Sequence, residues 1–350
     1  MKHVLNVCSK VMRKFVFVVG ELECLHRDAL QSKRSAFADG TLKNLKWQWR
    51  IFIMFCIYFN FTILPASVEC LCLYAQFLSR SLKAVDSVRN YMSGVSTLHL
   101  LCEVEYLGKN NIELRLLLRG IARNKPHLVK QAAPLSPHIL VKLFPFFDFS
   151  KAYDCTMWAL LLIAFFTMSR KSNLVVTGAE KFNGSKQLSR SDVLVGDNGL
   201  LVTFKWSKTN QFGKRAHVIP IVAIPGSPLC PLQAYSAMLQ LCPGCPTDPA
   251  FFQVTPGRAI KKPITYAQLQ KCIKDGVSRL GLDPDAFSSH SLRRAGASWA
   301  FRSRVPSELI KSHGDWASLA YLRYLDFSLD ERLQVAESMS NEIIRVWQSV

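Results

Sequence analysis

A mainly α chain with a small antiparallel β-sheet (α+β), built as two units, is the fold class this sequence predicts. Long stretches place apolar residues three and four apart, the spacing of one helix face; they fill 42–123 and return after 136. Only residues 200–206 (LLVTFKW) and 216–222 (AHVIPIV) read as β-rich runs, and the polar segment between them, with Gly213, marks a hairpin loop. The 350-residue length is about twice a typical domain, and residues 124–137, with Pro126, Pro134 and Pro137, read as a linker.

The elements follow in order. Residues 1–30 carry basic residues and a short FVFVV stretch, without a small-residue cleavage site behind an apolar core, and are read as a leader without a secretory signal. A helical unit is expected over 31–125. Its most apolar run, 51–64, is about fourteen residues where a membrane span needs about twenty, and Asn60 interrupts it, so a buried helix is expected. Ser67 is placed to cap a helix that ends near Ser81, and Asp86 or Ser87 to cap the next. In the second unit, 126–350, Ser136-Pro137 opens a helix and 157–168 (MWALLLIAFFTM) is apolar enough for a helix buried on all sides. The hairpin comes next, then helices at 231–240, 266–280, 291–303, 306–311 and 318–325, and an amphipathic stretch at 329–347.

Composition narrows the function. With 49% apolar and 20% charged residues the chain has the apolar surface a folded core needs. Lys and Arg number 44 against 25 Asp and Glu, giving +19 and a pI near 9.6. The surplus is shared: 18 basic and 9 acidic residues in 1–125, 26 and 16 in 126–350. Two basic units suit a clamp around a polyanion, and double-stranded DNA is the partner this predicts, with no membrane. Eleven cysteines, an odd number without framework spacing in a long chain, imply a reducing compartment. Cys242 and Cys245 form a CxxC, but no second pair follows to complete four zinc ligands, so no metal is expected.

Four points carry candidate chemistry. Arg170 follows the apolar run directly, where an ionised group needs a partner. Lys208 lies in the hairpin loop with Lys205, Lys214 and Arg215 near it and no acid between 198 and 247. His290 and Arg293, three apart, share a helix face. His313-Gly314-Asp315-Trp316 is followed by Tyr321 and Tyr324. In the helical unit Arg80, Lys83 and Arg89 recur near helix ends, where backbone amides also meet phosphates.

The order Arg, hairpin Lys, HxxR, Tyr resembles the tyrosine recombinase (phage integrase) superfamily. The likeness to its catalytic domain covers about 130–340, and 40–125 is similar to its helical, SAM-like core-binding domain. The ending WASLAYLRY at 316–324 looks most like recombinases of eukaryotic mobile elements. The resemblance implies a site-specific recombinase or integrase that cleaves and rejoins DNA through a 3′-phosphotyrosyl intermediate, independent of metal, ATP and any other cofactor. It assigns Arg170, Lys208, His290 and Arg293 to catalysis. The nucleophile lies nine residues after a His or Trp in the family; nine back from Tyr324 is Asp315, and nine back from Tyr321 is Ser312. Tyr324 is therefore the first candidate and Tyr321 the second.

Two departures stand out. Asp315 replaces the usual His or Trp, with His313 and Trp316 as supporting or alternative residues, and Asn173 stands where an acidic residue commonly supports the first arginine. Fixed guanidinium groups suit the reaction because charge builds on phosphate oxygens in the transition state. A tyrosine, with an ordinary pKa of about 10, needs such cations to attack as phenolate, and Lys208 would protonate the leaving oxygen. The resemblance further implies a homo-tetramer on two DNA sites, with the 329–347 stretch docking on a neighbour or on its own domain. Nuclear localisation is expected in a eukaryote and cytoplasmic otherwise. A catalytically impaired, transposon-derived DNA-binding protein and a type IB topoisomerase-like activity are the alternatives.

Overall fold

The computed structural model describes residues 21–126, 131–178, 181–207, 216–254, 261–324 and 329–348, in two units, 1–129 and 130–350. In the first unit α1 (Glu21–Ser35), α2 (Asp39–Tyr58), α3 (Val68–Ser81), α4 (Val85–Leu101) and α5 (Ile112–Asn124) succeed one another. The expected boundary at residue 30 falls inside α1. Ser67 caps α3 by accepting from the Cys70 N–H at 3.1 Å, and Asn111 caps α5 through the Leu114 N–H at 3.0 Å. Neither Asp86 nor Ser87 caps α4: the residue ahead of it is Ala84, whose side chain has nothing to offer the first N–H groups, and Asp86 sits within the first turn instead. Phe52, Phe55, Leu71, Tyr74, Val88 and Val95 form the core, with Tyr74 edge-on to Phe52 at 5.0 Å.

The apolar run at 51–64 is only partly helical and only partly buried. Asn60 adopts φ 56° just past the end of α2, and Met54, Ile57 and Tyr58 face outward. No helix among the described residues is long and apolar enough to cross a membrane.

The second unit is built around α7 (Ala152–Phe166), whose residues from Cys155 to Phe165 are all buried. That explains its unbroken apolar sequence: neighbours cover every face. Ahead of it, Ser136 caps α6 (Pro137–Leu143), with Pro137 in the first turn, where a missing N–H costs nothing. The short α8 (Lys171–Leu174) follows, then a three-stranded antiparallel sheet, β1 (Val193–Gly196), β2 (Gly199–Phe204) and β3 (His217–Val222). Leu200, Val202 and Phe204 alternate inward on β2, and Val202 pairs with Ile219 of β3. After α9 (Pro231–Leu241) come a two-stranded ribbon, β4 (Phe252–Val254) and β5 (Lys261–Pro263), and α10 (Tyr266–Arg279), α11 (His290–Arg302) and α12 (Ser307–His313). The expected helix over 318–325 is a 3₁₀ segment, Leu319–Tyr324, and α13 (Leu329–Gln348) closes the chain.

Candidate active site

The site is assembled where α7, α11 and α12 end or begin. Past the last turn of α7, Met168 takes a left-handed conformation (φ 48°), and the chain turns out of the core into Ser169 and Arg170. Arg170, extended at φ −80° and ψ 144°, is the residue ahead of α8. Its charge is met by Asp315: Nη1 is 3.9 Å from Oδ2, and Nη2 donates to the Asp315 carbonyl at 3.5 Å.

Arg293 is brought beside this turn by a close helix contact. A Cβ at Gly296, one turn further along α11, would stand 2.3 Å from the Phe165 carbonyl oxygen, so only glycine lets α11 approach the end of α7 this closely. The buried Arg293 guanidinium donates Nη1 to the Met168 carbonyl and Nη2 to the Gly314 carbonyl at 2.8 Å. It thus sits at the C-terminal ends of α7 and α12, where carbonyl dipoles favour a cation. Its Cζ lies 3.9 Å from the centroid of a Trp316 ring. Burial, then the neighbouring Arg170, lowers the Arg293 pKa from its ordinary value, while Tyr324 and Asp315 oppose that shift.

The turn at 313–315 faces both arginines. His313 ends α12 and donates Nε2 to the Phe166 carbonyl at 2.8 Å, and burial holds its pKa below the ordinary value. Asp315 takes φ 51°, which an aspartate tolerates better than most residues; it is buried, and its Oδ2 accepts from the Ser207 hydroxyl. Trp316 then folds back under Gly314. A Cβ on Gly314 would lie 1.7 Å from the indole, so this fold-back requires glycine.

His290 opens α11. Its side chain is exposed by surface area, and partial desolvation first, then Lys171, Arg293 and Arg170, lower its pKa, which favours the neutral imidazole. Of the two tyrosines, Tyr321 is buried with Met168, Ala297, Ile310 and Trp316, whereas Tyr324 is partly exposed at the edge of that cluster. Both pack on Trp316, with ring centroids 6.0 and 5.8 Å away. Arg170, Arg293 and Asp315 line one cavity together with Thr167, Ser207 and His217; His290 and Tyr324 are not among its lining residues, and Tyr324 packs on the Trp316 ring that Arg293 covers.

Lys208, Lys214 and Arg215 lie outside the described residues. Lys205 does not stand free as its sequence neighbourhood suggested: its Nζ is 2.7 Å from Asp192, brought over from the segment that leads into β1. In the helical unit Arg80 and Lys83 are exposed near the end of α3, and Arg89 pairs with Asp86 at 2.8 Å on α4. The Asn173 side chain is not paired with the Arg170 guanidinium; its amide donates to the Trp206 carbonyl just past β2, and only its backbone N–H meets Arg170, at the carbonyl, 2.9 Å away. Sequence reasoning missed Ser207 and His217. Ser207 was legible only as the neighbour of Lys208, and His217 only as an inward position on a strand.

The described fold, helical with small antiparallel sheets, is that of the tyrosine recombinase catalytic domain. An integrase/recombinase xerD homolog of Selenomonas ruminantium is 25% identical over 300 residues, 83% of this chain and 83% of that protein. Among solved structures, the Tn1549 transposon integrase in complex with circular intermediate DNA is similar over 88% of this chain and 96% of its own, with a TM-score of 0.58 and 11% identity. A lambda integrase dimer bound to a COC′ core site is similar over 86% and 94%, with a TM-score of 0.52 and 14% identity. The relative carries an integrase/recombinase name, and the two neighbours share the fold. No protein-family model matches the chain.

Proposed function

We propose that the chain is a site-specific DNA recombinase or integrase of a mobile element, of the eukaryotic kind its ending resembles, acting through a 3′-phosphotyrosyl intermediate. The observation that carries this reading is the convergence of Arg170, Arg293 and Asp315 on one cavity from distant parts of the chain, with Tyr324 packed on the Trp316 ring that Arg293 covers.

In this reading Arg170 and Arg293 neutralise the scissile phosphate. The Tyr324 oxygen attacks phosphorus, a Tyr–O–P bond forms, the P–O5′ bond breaks, and the leaving oxygen takes a proton from Lys208. The phenol proton passes to His290, which its lowered pKa keeps neutral and so free to take a proton. Attack by the 5′-hydroxyl of a second strand reverses the step without ATP. Arg80, Lys83 and Arg89 of the helical unit, and Lys205, Lys214 and Arg215 around the hairpin, would grip the duplex backbone. A tetramer on two DNA sites agrees with α13, where Leu333, Ile343, Ile344 and Trp347 are all exposed and available to a neighbour. The place of action would be the nucleus in a eukaryote.

The test is a nicked suicide duplex drawn from the DNA flanking the gene, incubated with the purified chain. A covalent protein–DNA adduct that is lost in Tyr324→Phe is the expected result. The second reading, an impaired transposon-derived DNA-binding protein, is favoured by the Asp315 carboxylate beside Arg170; tight binding with no adduct on any duplex would select it.

A further inference from the structure

We infer that Asp315 is a positioning residue that ties Arg170 to the root of the lysine-bearing hairpin in the unloaded site, and that it yields Arg170 to a phosphate when DNA enters. This rests on the proposed strand-cleavage reading. A carboxylate in a site meant for a phosphodiester is costly unless its charge serves the empty state, and its contacts say how it would. One oxygen, Oδ2, lies 3.9 Å from Arg170 Nη1 and accepts the Ser207 hydroxyl. Ser207 immediately precedes Lys208, so this bond holds the entering leg of the hairpin. The departing leg is held from the same turn: His217 donates Nε2 to the His313 carbonyl at 2.9 Å. Both legs of the segment that carries Lys208 are thus fastened to residues 313–315, and the carboxylate that fastens one leg also pairs with Arg170.

The two functions separate by substitution. Asp315→Asn keeps an oxygen for Ser207 and removes the charge. Asp315→Ala removes both. Ser207→Ala cuts the hairpin bond and leaves the ion pair. With inorganic phosphate as the probe, titrated into the full-length chain, both Asp315 variants should bind about tenfold more tightly than wild type, and Ser207→Ala should not. Adding Arg170→Ala to Asp315→Asn should abolish the gain. Unchanged phosphate affinity in both Asp315 variants would overturn the inference whether or not the chain cuts DNA.

The second arm uses the suicide duplex in two forms, one ordinary and one with sulfur bridging at the 5′ position. A thiolate leaves without needing a proton, so a defect in the placement of Lys208 is bypassed. Ser207→Ala and Asp315→Ala should cleave the ordinary duplex about tenfold to a hundredfold more slowly than wild type, and recover to within about threefold on the sulfur form. Asp315→Asn should show the wild-type ratio between the two substrates. Equal defects on both substrates would refute the hairpin role, whereas a wild type that forms no adduct removes the proposed function and leaves the phosphate titration to decide the role of Asp315.

Discussion

Arg293 lies over the indole of Trp316, its Cζ 3.9 Å from the ring centroid, while its two terminal nitrogens hold the carbonyls of Met168 and Gly314. The ring both seals the guanidinium from water and closes the small cluster of Met168, Ala297, Ile310 and Tyr321. Trp316→Ala should therefore cost about 3–5 kcal/mol of stability, the usual loss for a buried aromatic truncated to alanine. Trp316→Phe keeps a ring face for the cation and should cost less. Urea unfolding of the three proteins checks both.

Two glycines set the approach distances of the site. A methyl at Gly296 meets the Phe165 carbonyl oxygen, which is backbone and has little room to move. Gly296→Ala should destabilise by about 1–3 kcal/mol through overpacking. At Gly314 the obstacle is the Trp316 ring, so Gly314→Ala should displace that ring from Arg293 and change the near-ultraviolet dichroism, with far-ultraviolet helicity unchanged.

The register of the nucleophile is separable. Tyr321 is buried and Tyr324 is partly exposed. Tyr321→Phe should still form the covalent adduct, because it keeps the packed ring, and Tyr324→Phe should form none. An adduct retained in Tyr324→Phe and lost in Tyr321→Phe would move the assignment to Tyr321.

Acid should weaken the fold through two histidines. His313, half-buried, and His290, exposed at the start of α11, both have pKa values lowered from 6.5, first by desolvation, so the unfolded chain holds their protons at a pH where the folded chain does not. Their contribution is complete above about pH 6.5 and is lost as the pH falls from there through the folded-state values. The urea midpoint should drop between pH 7.5 and 5.5, and the drop should be smaller in the His290→Gln, His313→Gln double variant.

Salt dependence should distinguish the basic residues of the helical unit. If Arg80 and Lys83 each neutralise a phosphate, removing either should lower the slope of log affinity against log salt by about 0.9. Arg89 is engaged by Asp86 and should contribute less. The slopes are measured on one duplex by fluorescence anisotropy.

What was legible in the sequence was local. Arg170, His290 and Arg293 are held by features with their own signals: the end of an apolar run and an i, i+3 pair on one helix. The caps Ser67 and Ser136 were legible for the same reason. Contacts across long separations were not. The partners of Asp315, Ser207 and Arg170, stand 108 and 145 residues away, and Lys205 meets an aspartate outside the acid-free window that made it look unpaired. Strand β1 was missed because, with Val193 buried and the next three residues exposed, its four residues show no alternation, and β4 and β5 because three residues are too short to show any. The helix at 21–35 was missed because polar and charged residues outnumber its few apolar ones, Leu22, Leu25 and Leu30 among them.

A guanidinium offers a limited set of N–H donors in a fixed plane. Arg293 has already given one to Met168 and one to Gly314, and its face to the Trp316 ring. It is as much a rivet between two helix ends as an anion receptor, and both of its terminal nitrogens are already committed to protein carbonyls. Anion capture in this site is therefore lopsided, with Arg170 the gripping hand. An Arg293 variant that loses activity would report on a loosened scaffold as much as on missing charge, so Arg170 is the position at which the electrostatic contribution can be read cleanly.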